Sequence, residues 1–136
     1  MADSTLPLGR VPYMRDVKLI KFDFRTSINA SADEKTNREI NARFHFQDFK
    51  DDDGNEGLSL TLTVEGVREP YYNCDIVAHA YFDYPSDCSK EDKNRFLFSQ
   101  GSFELYNAVR MIAKTATSYG VFGSIELPPL SAAAIS

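Results

Sequence analysis

Apolar and polar residues alternate with a period of two over the first two thirds of the chain, and with a period near 3.6 after that. Lys18, Ile20, Phe22, Phe24, Thr26 and Ile28 share one phase, while Lys21, Asp23, Arg25 and Ser27 occupy the other. Such alternation predicts a strand with one apolar face, beginning near Val17. Polar residues from Asn29 to Asn37 predict a loop. In the second strand Ile40, Ala42, Phe44 and Phe46 alternate with Asn41, Arg43, His45 and Gln47. Asp51-Asp52-Asp53-Gly54-Asn55 then marks a hairpin turn, because glycine accepts the positive φ that a tight turn requires. Leu58, Leu60, Leu62 and Val64 form the apolar phase of a third strand. Gly66 to Pro70 predict a second turn. Cys74, Ile76, Ala78, Ala80 and Phe82 form the apolar phase of a fourth strand.

After Tyr84-Pro85 the period becomes helical. Ser89, with Asp92 three residues on, predicts a capped short helix ending near Phe98. A longer helix is predicted from Gly101-Ser102, with Ser102 as its N-cap and Glu104 in its first turn. Leu105, Val109, Ile112, Ala116 and Tyr119 would share its apolar face, and Gly120 would stop it. Val121 to Leu130 reads as extended. The expected class is therefore α+β: a four-stranded antiparallel sheet followed by two helices. The organisation expected is a flexible N-terminal arm at 1–16, one domain at 17–130 and a frayed tail at 131–136.

The gross numbers narrow the function classes. The chain has 136 residues, enough for one domain with a core of its own. Its formal net charge is −5, with basic residues scattered among acids, which disfavours nucleic acid as a partner. No stretch approaches the length of a membrane helix, and residues 1–10 contain no apolar run of the kind found in signal peptides. The two cysteines, Cys74 and Cys88, are expected to be free thiols in a cytoplasmic protein.

No catalytic constellation is visible. Placing Gly54 at the sixth position of a calcium loop puts Phe49 first and Leu60 twelfth, so the ligand pattern fails and the acidic run reads as a solvated hairpin tip. His45, His79, Cys74 and Cys88 have no short metal spacing, and no metal or other cofactor is expected. His79 and Cys88 would need the fold to bring them together, and neither sits in a nucleophile motif. The 10 Phe and 7 Tyr are the more informative feature. Phe22, Phe24, Phe44, Phe46 and Phe82 fit a core beneath the long helix. Phe49, Tyr71, Tyr72, Tyr81, Tyr84, Phe96, Phe98, Phe103 and Phe122 lie outside the obvious core phases, a surplus that points to a contact surface for subunits or for an apolar ligand.

The order of elements and the C-terminal third resemble the SecB family of protein-export chaperones. The residues that carry the resemblance are Leu105-Tyr106-Asn107-Ala108-Val109-Arg110-Met111-Ile112, Tyr119-Gly120-Val121-Phe122 and Ile125-Glu126-Leu127-Pro128-Pro129-Leu130, with Ala78-His79-Ala80-Tyr81-Phe82 upstream. The resemblance implies a non-enzymatic, ATP-independent holdase for unfolded or nascent polypeptides, assembled as a dimer of dimers. It also implies aromatic-lined hydrophobic grooves, which by position would involve Phe44, Phe46, Phe82, Leu105, Tyr106 and Phe122. Partners implied are a translocase motor, in protein export, or an antitoxin, in a toxin–antitoxin system. Met111 stands where the family commonly has Glu, and Ser131 to Ser136 differs from the tail that engages the translocase, so a solitary or toxin-linked relative fits better than the export role. The alternatives from other classes are a small-molecule-binding or hydrolytic domain with a pocket between sheet and helix, and an adaptor subunit with one fixed partner.

Overall fold

The computed structural model describes residues 11–27, 40–66, 71–120 and 123–130. Strands β1 (Tyr13–Ser27), β2 (Ile40–Lys50), β3 (Glu56–Gly66) and β4 (Tyr71–Asp83) precede helix α1 (Lys90–Phe96), one π-helical turn (Leu97–Gly101) and helix α2 (Ser102–Ala116). The strands form one antiparallel sheet in the order β1-β4-β3-β2. The expected architecture of four strands and then helices is therefore present. Strands β1 and β2, consecutive in sequence, lie at opposite edges. The expected loop at 29–37 and most of the expected turn at 66–70 lie outside the described residues.

The core forms where the alternation is strictest. Leu58, Leu60, Leu62 and Val64 of β3 and Cys74, Ile76, Ala78 and Ala80 of β4 are all fully buried. Leu58 faces Ala80 and Leu60 faces Ala78 across the ladder, so large side chains on β3 oppose small ones on β4. Leu105, Val109 and Ala113 of α2, one above another at i, i+4 spacing, close over this floor and are fully buried too. Each buried Leu contributes about 2 kcal/mol by area. The hairpin between β2 and β3 forms as the sequence predicts. Gly54 has φ of 85°, and the Asp51 carboxylate accepts the backbone N–H groups of Asn55 (2.8 Å) and Asp53 (3.0 Å).

Strand β1 departs from the sequence reading. It starts at Tyr13, so residues 13–16 of the expected arm are strand. Bulges fall between Met14 and Asp16 and between Leu19 and Lys21. Each inserts an unpaired residue and shifts the pleat, so Met14, Val17, Phe22 and Phe24 pack on the core while Ile20 is 56% exposed.

The helices require two corrections. Ser89 caps α1 as expected, accepting the Asp92 N–H at 3.1 Å. Ser102, however, caps nothing. Helical backbone runs through Gly101, and the Ser102 hydroxyl donates to the Leu97 carbonyl at 2.6 Å inside the π turn. A Cβ at Gly101 would sit 3.3 Å from the Phe82 ring, so Gly101 allows close packing there. At the other end α2 stops at Ala116, before the expected Gly120. Thr117 takes φ −97° and ψ 3°, and its hydroxyl turns back to donate to the Ala113 carbonyl at 2.6 Å. Ala116, the last residue of α2, is exposed, and Tyr119, beyond the helix, is 99% exposed, so neither joins the predicted apolar face.

Residues Gly123 to Leu130 are extended, as expected, and run back along α2 as a strap. Thr117 Oγ1 accepts the Ile125 N–H at 2.8 Å, Lys114 lies 3.6 Å from Glu126, and the Tyr106 hydroxyl donates to the Pro128 carbonyl at 2.7 Å. Ile125 and Leu127 insert into the core. The tail at 131–136 lies outside the described residues.

Candidate functional site

Three of the six residues implied by the family resemblance meet at one place. Phe44 and Phe46 stand on the helix-covered face of β2, two residues apart, so the pleat directs both the same way. Their ring centroids are 5.7 Å apart in edge-on contact, and Phe44 lies 6.0 Å from the Tyr106 ring. Both phenylalanines are half-buried because β2 is a sheet edge and α2 packs over the sheet centre. Tyr106 is almost wholly buried, and its desolvated hydroxyl has its pKa raised. The site is a short aromatic row between an edge strand and a helix, with the strap beyond it.

The other three do not join this row. Leu105 is fully buried in the core. Phe82 is 5% exposed and belongs to a second aromatic group, at 5.4 Å from Phe96, which in turn lies 6.0 Å from Tyr84. Phe122 lies outside the described residues. Of the surplus aromatics, Phe49 and Tyr81 pack together on the helix-free face, with His79 4.4 Å from Phe49. Lys18 sits 5.5 Å above the Tyr81 ring. Phe98, in the π turn, is 40% exposed.

Two features escaped the sequence reading. One is the course of the extended segment, which runs along α2 as a strap with Ile125 and Leu127 buried. The other is an exposed apolar group along β1: Val11, Tyr13, Leu19 and Ile20 are each about two-fifths exposed or more. The bulges that expose part of it have no sequence signal.

The two residues weighed as nucleophile and base stand on different segments of the chain. His79 lies on the helix-free face, where burial lowers its pKa, and Cys88 lies in the loop before α1 with its thiol directed at the Ser89 carbonyl. Asp23 and Asp75 face each other across β1 and β4 and line a cavity of about 180 Å³ with Arg25 and Asn73. Asp23 is occupied by Arg25 at 3.1 Å and Asp75 accepts the Thr63 hydroxyl at 3.0 Å. Among the described residues no three His, Cys, Asp or Glu side chains gather as a metal site, and no helix is long and apolar enough to cross a membrane.

No family model matches the sequence, and no curated protein matches it. Solved structures do match. The Mycobacterium tuberculosis Rv1957 SecB-like chaperone, in complex with a ChAD peptide from the Rv1956 HigA1 antitoxin, superposes with a TM-score of 0.68. The match covers 89% of this chain and 88% of that one at 16% identity. A protein of unknown function from Streptococcus agalactiae gives a TM-score of 0.44 at 12% identity over 86% of this chain and 96% of that one, too distant to support an argument. The fold of this chain is SecB-like.

Proposed function

We propose that this chain is a molecular chaperone of the SecB-like type, a cytoplasmic, ATP-independent holdase for unfolded or nascent polypeptide. The observation that carries the reading is the partly buried Phe44–Phe46 row beside Tyr106 on β2, an edge strand among the described residues. An unfolded client offers apolar side chains on an extended backbone, and rings beside an edge strand suit such a chain without any chemical step. The structural neighbour carries an antitoxin peptide, which favours an antitoxin client over a role in export with a translocase motor. Exposed Val11, Tyr13, Leu19 and Ile20 favour burial between subunits, in keeping with a homotetramer built as a dimer of dimers.

The test combines mass by light scattering with suppression of aggregation of a denatured client. The wild type is expected to be oligomeric and to suppress aggregation, and Phe46→Asp to remain folded and lose at least tenfold in client binding. A strict monomer without activity on any denatured client would overturn the reading. A single stoichiometric partner recovered without activity on generic clients would replace it with an adaptor role.

A further inference from the structure

We infer that the strap Gly123–Leu130 is an internal occupant of the client path, an extended segment that an extended client displaces. This rests on the holdase reading and concerns how the same site is regulated. Four observations support it. The strap is itself an extended chain with alternate apolar residues buried, Ile125 and Leu127, and polar Ser124 and Glu126 turned outward. It joins no strand of the sheet. Among the described residues its backbone is held by the Gly123 N–H to the Gly120 carbonyl, the Ile125 N–H to the Thr117 hydroxyl and the Tyr106 hydroxyl to the Pro128 carbonyl. Finally, its latch is a residue of the candidate site, since the ring of Tyr106 touches Phe44 while its hydroxyl holds Pro128.

The exchange conserves the apolar burial but not the latch. A client with apolar side chains two residues apart restores what Ile125 and Leu127 give up, while the Tyr106 hydroxyl, released from Pro128, turns to water. Pro128 is exposed, so water satisfies its carbonyl once it is released. Segments whose alternate residues are polar cannot refill the core positions and are rejected. The strap thus sets a threshold: only a polypeptide apolar enough to replace it is held.

The experiment compares wild type with Tyr106→Phe, which keeps the ring and removes the latch. Hydrogen exchange is followed at the Ile125 and Leu127 amides, with and without saturating reduced, carboxymethylated lactalbumin as the unfolded probe. Binding of the probe is measured in parallel. The probe is expected to speed strap exchange in the wild type. Tyr106→Phe is expected to speed it without probe and to tighten probe binding about fivefold, the factor for one net hydrogen bond. Probe binding that leaves the strap amides equally or better protected, or weaker binding by Tyr106→Phe, would make the strap a fixed wall and overturn the proposal while leaving the holdase reading intact. If the wild type binds no probe but the variant does, the strap is the block. If exchange shows the strap open in the variant and neither protein binds, both readings fall.

Discussion

Phe49 and Gly57 face each other across the β2–β3 pair, and the Phe49 ring fills the space that a side chain at Gly57 would need. A Cβ at Gly57 would lie 2.7 Å from the ring and closer still to the Ala80 carbonyl oxygen. The ring can swing away, but the carbonyl belongs to the β4 ladder and cannot. Gly57→Ala is therefore expected to cost about 2 kcal/mol, by overpacking. Adding Phe49→Leu should relieve little of this, because the backbone contact remains. Urea denaturation of the two single variants and the double variant measures it. Recovery of wild-type stability in the double variant would show that the ring alone forbids a side chain there.

The same region shows why some of the fold is legible in sequence. The Asp51 to Asn55 turn carries its own chemistry, and β3 and β4 alternate without interruption, so turn, register and core follow from local pattern. Strand β1 is different. Its bulges are features of its pairing with β4, so the phase of Ile20 depends on a partner more than fifty residues away. Ser102 looks like a helix cap by composition, but Gly101 packing on Phe82 keeps the backbone helical through that point. At the site, the pairing of Phe44 with Phe46 follows from a period of two, whereas their meeting with Tyr106 is a tertiary fact. The strap's extended character was visible, but its two hydroxyl anchors were not.

Thr117 is one of those anchors and supports a second prediction. Its buried hydroxyl donates to the Ala113 carbonyl and accepts the Ile125 N–H, closing the helix end and the strap with one atom. Thr117→Val keeps the shape but strands a buried N–H, at a cost of about 2 kcal/mol. Thr117→Ser keeps both bonds and loses only a methyl group, about 1 kcal/mol. Thermal or urea unfolding of the pair checks the order. If serine proves the worse substitution, packing of the methyl group rather than the hydroxyl holds this junction.

Leu105 and Phe46 should separate support from contact. Leu105 is fully buried, so Leu105→Ala is expected to cost about 3 kcal/mol of stability. Its client binding should be normal at temperatures where it is folded. Phe46 is only partly buried, so Phe46→Ala should cost about 1 kcal/mol and lower client binding several-fold at every temperature. Melting curves alongside aggregation assays decide between them. A Leu105→Ala protein that is folded but inactive would place Leu105 in the client surface after all.

The Cys74 thiol links stability to alkaline pH. Burial raises its pKa from 9.0 to about 11, with neighbouring Asp75 and Asp23 adding in the same direction. The ionised form is the disfavoured one in the fold. Below pH 9 the thiol is protonated in both the folded and unfolded chains, and its contribution to stability is fully present. Between about pH 9 and 11 the unfolded chain loses its proton first, so stability falls as pH rises. At pH 10.5 the loss relative to pH 8 should be about 2 kcal/mol from this group. Tyrosines such as Tyr84, also raised by burial, contribute in the same sense, so the wild-type curve alone does not isolate the thiol. Cys74→Ala does. It is expected to be slightly less stable than wild type at pH 8 and to lose about 2 kcal/mol less on going to pH 10.5. Parallel losses in the two proteins, measured by urea titration at both pH values, would mean that Cys74 ionises as easily in the fold as out of it.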